Sequence, residues 1–306
     1  MKQKKRGETL DYVKKHYVLY LLLIIPIAYY IIFCYLPMGG VVIAFQNYKL
    51  KRGITGSDWV GLSVFKRVLS SSKFWRAFWN TIRLNLLSLL IEFPAPILLA
   101  LFLNEMRQAR LKKGVQTILY LPHFISWVVI GGMVIQIFAT ENGLLNNFLS
   151  SMGLPKIPFL SSPTAWTWTY VAVSVWQSIG WGAIIYISAI TGIDQEQYEA
   201  ARVDGCNRFK MMYKITLPNI LPTIVIMLIL KVGGMVSISL DKPMMLSNPM
   251  VTEVSEVLST YSYTVGMQQG QFNVATAIGL FQSVLNFILV ISANKISDRI
   301  SGEAIW

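Results

Sequence analysis

Two groups of residues have types and spacings that suit molecular work. The first is Glu199-Ala200-Ala201, then Asp204-Gly205, then, nine residues on, Ile215-Thr216-Leu217-Pro218. A carboxylate can hydrogen-bond or pair, two alanines leave a low-relief helix face, and a glycine allows a sharp turn. The second group lies inside apolar runs. Glu92 stands next to Pro94 and Pro96, and Lys231 interrupts a hydrophobic stretch. Ionisable groups at such depth are costly and flag function or a structural pairing. Trp176, Gln177 and Trp181 combine ring faces with an amide, the equipment that binds saccharides.

Covalent chemistry is poorly provided for. His16 and His123 stand apart from any Cys, Asp or Glu arrangement, so no metal site is expected. Cys34 and Cys206 suggest no disulfide framework. No His/carboxylate or Ser/Lys grouping indicates an integral-membrane enzyme, and no filter-like loop indicates a channel. The Gly-x4-Gly-Lys-Ser/Thr phosphate loop is absent, so the chain cannot hydrolyse ATP alone.

The elements that position these residues are membrane helices. The 306 residues are 54% hydrophobic and 14% charged, with mean hydropathy +0.51. A soluble domain carries nearer a quarter charged residues. The net charge of +12 would suggest nucleic acid in a soluble chain, but here the bases flank apolar runs and set orientation. Six spans are expected, at about 16–36, 82–103, 115–139, 164–193, 217–240 and 274–294. Residues 1–15 form a basic N-tail and 295–306 a C-tail. The first span reads as an uncleaved anchor, being long, bulky and without a small-residue cleavage site. Residues 39–80 are too broken to span and carry an amphipathic helix near Ser63–Leu69, beside Trp75 and Trp79. The third span is broken by Pro122 and thinned by Gly131-Gly132, a pair that permits close helix approach.

Bases favour an inside N-terminus, with sixteen Lys and Arg on the inner segments against nine outside. The inner set includes Arg107 and Arg110; the outer set includes Lys242. The first outer loop, with seven bases, runs against the rule. This orientation puts residues 194–216 in the cytoplasm. There Asp194 begins a short helix with Gln197 at capping-box spacing, Gly205 stops it, and Asn207 caps a second. Phe209, Met212, Tyr213 and Thr216 form one face of that second helix, and Pro218 occupies the tolerant first turn of the next span.

The Glu199–Pro218 pattern resembles the EAA loop of ABC importer permeases, with Cys206 where the family often has Ala. The stretches IAYYIIFCYLPMGGVVIAFQNYKL, WNTIRLNLLSLLIEFPAPILLALFLNE, YLPHFISWVVIGG and IGLFQSVLNFILVISANKISDR, with the closing Trp306, resemble the LplB-type branch of carbohydrate-uptake permeases. The resemblance implies an all-α membrane protein with the type I importer (MetI-like) fold, six transmembrane helices and a cytoplasmic coupling helix. It implies a bacterial cell-membrane location and a homologous second permease subunit. Two ATP-binding subunits, which hold the ATP and Mg, and a lipid-anchored extracellular solute-binding protein that delivers an oligosaccharide are implied as well. No cofactor is expected on this chain. Glu199, Ala200, Ala201, Asp204, Gly205, Leu217 and Pro218 are then the ATPase-coupling residues. Trp176, Gln177, Trp181 and Lys231 are candidates for the substrate path. Lys231 has three courses: to snorkel, to pair with Glu92, or to line a cavity, where it would suit a uronate. A polyamine, phosphate ester or peptide remains an alternative cargo.

Overall fold

The structure is a computed structural model that describes residues 12, 14–106, 108–302 and 305. The basic tail up to residue 11, Arg107 and Trp306 lie outside the described residues. Among those described, the only strands are β1 (Gln46–Asn47) and β2 (Asp58–Trp59), an antiparallel pair with Gln46 opposite Trp59. Everything else that is regular is helical.

Four helices are long and apolar enough to cross a membrane: α1 (Tyr17–Phe45), α3 (Ser72–Asn104), α7 (Pro163–Thr191) and α13 (Phe272–Ser301). Two bent pairs complete a set of six. They are α4 (Ala109–Phe124) with α5 (Trp127–Phe138), bent by 103°, and α9 (Arg208–Asn219) with α10 (Leu221–Gly233), bent by 60°. Shorter helices join them: α2 (Ser63–Leu69), α6 (Leu144–Ser151), α8 (Gln195–Val203), α11 (Asp241–Leu246) and α12 (Leu258–Tyr263). No residue of α1 before Ala44 is buried, so lipid or another chain must cover it.

Several expected boundaries move. The second helix starts ten residues early, at Ser72, because Ser71 caps it by accepting the Phe74 N–H; Trp75 and Trp79 are its first turns. The break in the third span falls at Ile125-Ser126 rather than at Pro122. Ile125 is extended, and the Ser126 side chain restarts the helix by accepting from Val129. The apolar helix of the fifth span, α10, begins at Leu221, not 217, and stops at Gly233, not 240. Pro218 therefore sits in the last turn of α9 instead of opening a span, and Pro222 takes the tolerant N-terminal position. A widened π-turn over Met212–Thr216 accommodates the Pro218 ring, with the Leu217 N–H reaching the Met212 carbonyl. Ser88–Glu92 does the same before Pro94, where the Phe93 N–H bonds the Ser88 carbonyl.

The unwound stretch after Gly233 needs partners for its backbone, because open backbone at membrane depth survives only when buried in protein or lining a cavity. Asparagine and glutamine side chains supply them. Asn85 donates to the Met235 and Ser237 carbonyls at 2.8 and 3.1 Å, Gln282 donates to the Val236 carbonyl at 2.9 Å, and Asn286 accepts the Val236 N–H at 3.1 Å. The chain then turns back into the bundle as α11. Gly131 makes room for it: a Cβ there would lie 3.0 Å from the Met245 carbonyl oxygen. Gly132 has no such neighbour, so one glycine of the pair makes the contact. Trp166 holds the far end by donating to the Leu246 carbonyl at 2.7 Å.

Candidate functional site

The 194–219 loop is built as a rigid corner. Asp194 caps α8 by accepting the Glu196 N–H at 3.0 Å. The expected capping box does not close, because the Gln197 side chain instead accepts from Asn219 at 3.0 Å, across to α9. Gly205 has φ +73°, the left-handed conformation. The Cys206 N–H reaches the Ala201 carbonyl at 2.9 Å and the Gly205 N–H reaches that of Arg202 at 3.1 Å, which is a Schellman ending. Asn207 caps α9 by accepting the Lys210 N–H at 2.8 Å.

Burial divides this corner into an inner and an outer face. Tyr198, Ala201, Met211 and Ile220 are buried against Ile97, Ala183, Tyr186 and Ile190 at the ends of α3 and α7. The Tyr198 hydroxyl shares a 2.9 Å hydrogen bond with Thr216 Oγ1, both side chains being buried. Glu199, Ala200, Asp204, Gly205 and Pro218 face outward and Leu217 is half-buried. The two alanines thus differ: Ala201 is small because it packs inward, whereas Ala200 leaves the outer face flat. The expected single face of α9 does not form. Phe209 and Tyr213 are 72% and 70% exposed, while Met211 and Thr216 turn inward; the widened turn shifts the register by a residue. Val203, at 88% exposure, joins the outer face and had no distinguishing mark in the sequence.

Removing the Tyr198 hydroxyl tests this corner. Tyr198→Phe leaves Thr216 without its buried partner, a loss of about 1–2 kcal/mol. Thermal unfolding of the purified chain should show it, and Thr216→Val in the same background should recover most of the loss.

A cavity of about 260 Å³ opens in the middle of the bundle. Asn85, Ser88 and Glu92 of α3, Trp127 of α5, Tyr170, Ser174 and Gln177 of α7, Lys231 of α10, and Ser237, Ser239 and Lys242 of the returning segment line it. Glu92 accepts from Ser88 within its own widened turn and from Ser178 at 3.2 Å. Lys231 Nζ stands 3.9 Å from the Glu92 carboxylate. Of the three courses open to Lys231, pairing and cavity lining occur together.

The predicted aromatic set separates. Neighbouring helix positions do not share a face, so Trp176 lines a separate apolar groove with Ile130, Met133 and Val134, while Gln177 reaches the cavity. Gln177 also donates to the His123 carbonyl at 3.4 Å. Trp181 stacks on the His123 ring, centroids 4.5 Å apart and planes 4° from parallel, beside the break between α4 and α5. The rings that line the cavity are Trp127 and Tyr170. Lys242, counted from the sequence as an outer-loop base, lies inside the bundle with its ammonium 4.4 Å from the centre of the Tyr170 ring and 5.7 Å from that of Trp127.

Residues 93–302 match the binding-protein-dependent transport system inner membrane component family. The chain belongs to that family. It is a permease subunit and a membrane protein, and the matched region takes in the corner at 194–219 and all of the cavity except its α3 wall. The polygalacturonan/rhamnogalacturonan transport system permease protein YteP of Bacillus subtilis (strain 168) is 41% identical over 305 residues, covering 100% of this permease and 95% of that protein. Protein LplB of the same organism is 40% identical over 294 residues, covering 96% and 92%. Among solved structures, a chain of a bacterial ABC transporter involved in the import of the acidic polysaccharide alginate superposes with TM-score 0.88 at 37% identity, covering 96% of this permease and 99% of that chain. The same figures hold for a chain of the bacterial alginate ABC transporter in complex with an alginate pentasaccharide-bound periplasmic protein. The fold is therefore that of an ABC importer permease, and its six crossings are four single helices and two bent pairs.

Proposed function

We propose that this permease carries an acidic oligosaccharide across a bacterial cell membrane, with both termini and the 194–216 corner in the cytoplasm. The observation that carries the reading is the cavity. It lies between α3, α5, α7, α10 and the returning segment, offers two aromatic rings and a row of hydroxyls and amides, and holds two lysines against one glutamate. Rings and hydroxyls suit a sugar, and the surplus ammonium suits a carboxylate. The cargoes named for the alginate and polygalacturonan relatives are acidic polysaccharides and support the same class.

The chain acts as a non-catalytic subunit. A homologous second permease, two ATP-binding subunits and an extracellular lipid-anchored binding protein complete the importer; ATP and Mg belong to the ATP-binding subunits. The outer face of the 194–219 corner is their docking surface. Glu199 offers a carboxylate, Ala200 keeps the surface low, and Val203, Phe209 and Tyr213 add exposed apolar area. Asp204 stands beside the turn that Gly205 makes, and Leu217 and Pro218 close the corner against the bundle. Two bases of the basic outer loop are paired: Arg52 lies 3.4 Å from Asp58 and Arg76 lies 2.7 Å from Glu256.

The test is to purify the tagged chain gently from its native host, add its solute-binding protein, and assay ATP hydrolysis. Recovery of a second permease and an ATPase, with hydrolysis stimulated by oligogalacturonate or oligoalginate and not by neutral malto-oligosaccharide, is the expected result. A chain recovered alone, or stimulation by a polyamine or peptide instead, contradicts the reading.

A further inference from the structure

We propose that Lys242, together with the Tyr170 hydroxyl, is the carboxylate-reading element of this permease, and that Lys231 is not. The inference rests on the saccharide reading above and assigns the specificity within it.

The two cavity lysines are in different electrostatic states. Lys231 is tied to Glu92, across from α10 to α3. Two serine hydroxyls also reach that carboxylate, whose field extends to Lys242 without a direct contact. Lys242 has no carboxylate within 4 Å and no hydrogen bond among the described residues; its ammonium rests on the Tyr170 and Trp127 rings. Ring faces hold a cation without neutralising it. Two ammoniums and one carboxylate leave one positive charge over, in a place where unpaired charge is costly.

Tyr170 supplies an independent observation. It is 3% exposed, lines the same cavity, and its hydroxyl has no hydrogen-bond partner among the described residues. Buried hydroxyls are nearly always partnered by protein, water or an ion, so this one still has a hydrogen bond to give. An ammonium and an unpartnered O–H donor beside the same cavity can together hold an anion. One surplus charge matches a monoanion, which favours a sugar carboxylate over a doubly charged phosphate ester. The volume, just under the ~300 Å³ at the low end of small-molecule sites, suits one sugar ring at a time rather than a chain segment. Lys242 and Tyr170 Oη then take the carboxylate, while Asn85, Ser174 and Gln177 meet the sugar hydroxyls.

The arrangement also explains how Lys242 is held. Gly131 lets α11 approach α5 closely, and Trp166 fixes the Leu246 carbonyl. The lysine is placed by its backbone, so its ammonium needs no carboxylate of this chain to stay in position.

Equilibrium dialysis of labelled digalacturonate, and of neutral galactobiose, against the purified intact importer complex tests the assignment. The wild type should bind the acid at least tenfold better than the neutral disaccharide. Lys242→Gln should erase that margin and leave galactobiose unchanged, Lys242→Arg should keep most of the margin, and Tyr170→Phe should lose a part of it. Lys231→Gln should weaken both ligands alike. A margin that survives Lys242→Gln, or that falls with Lys231→Gln alone, overturns the inference while leaving the saccharide reading intact. Binding of neither disaccharide by the wild type overturns both.

Discussion

Gly205→Val should cut ATP-driven uptake at least tenfold and release the ATP-binding subunit from the purified complex, while Gly205→Asn should stay close to wild type. The reason is conformational. Gly205 sits at φ +73°, and a Cβ built there meets nothing within 4 Å. No clash is involved; the cost is the left-handed backbone itself, about 1–2 kcal/mol for an ordinary side chain and more for a β-branched one. Asparagine tolerates this region. Relief of the strain rotates residue 205 out of the left-handed region and breaks the two hydrogen bonds that end α8 on the Ala201 and Arg202 carbonyls. The outer face then loses the fixed angle between Glu199 on one side and Phe209 and Tyr213 on the other. A docking surface transmits motion only if it keeps its shape, and ATP binding can shift the permease only through contacts that differ between its two states. Glu199→Ala should weaken the docking without altering the fold, which separates the carboxylate's contribution from the turn's. Equal loss of the ATPase in the Val and Asn variants would count against the conformational explanation.

Glu92→Ala should destabilise the bundle by about 2–3 kcal/mol. Removing one partner of a fully buried ion pair costs roughly 3–5 kcal/mol, and an exposed pair contributes at most about 1. The Glu92 and Lys231 side chains are 17% and 36% exposed and 3.9 Å apart, so the expected loss lies below the fully buried figure. Glu92 also accepts from Ser88 and Ser178, and Lys242 lies within its field. Its loss leaves two ammoniums facing one cavity without an anion. Glu92→Gln should retain the serine hydrogen bonds and cost less. The double variant Glu92→Gln/Lys231→Met should recover most of the stability, since it removes the stranded charge with its partner. Thermal unfolding of the full chain in detergent reads all three. A double variant no more stable than Glu92→Gln alone would show that the pair is not coupled.

How much of this was legible before the fold? The corner at 194–219 was, because local signals decide local geometry. Asp194, Gly205 and Asn207 do what a cap, a left-handed turn and a second cap do in any helix pair, and the Ser63–Leu69 helix lies where its amphipathic pattern put it. The register of α9 was not legible, because Pro218 forces a widened turn over Met212–Thr216 that helical spacing does not anticipate. The cavity was half legible. Glu92 and Lys231 announced themselves as charges in apolar runs, and Gln177 as an amide in a span. Trp176 and Trp181 did not follow, since spacing along one helix says nothing of which neighbour each face meets. Lys242 was hidden by its context. It stands in a polar connection that reads as an outer loop, and only the Gly131 contact, with the amides of Asn85, Gln282 and Asn286 capping the unwound backbone, brings that connection into the bundle.

The central claim is that this permease moves an acidic saccharide at the expense of ATP held by other subunits. The direct measurement is accumulation of labelled trigalacturonate by vesicles containing the reconstituted complex, with the solute-binding protein on the saccharide side and ATP on the other. The account predicts intact trisaccharide concentrated against its gradient, dependent on ATP hydrolysis and abolished by Gly205→Val. Equilibration without ATP would indicate a channel, and recovery of cleaved sugar would indicate an enzyme; either result would contradict it.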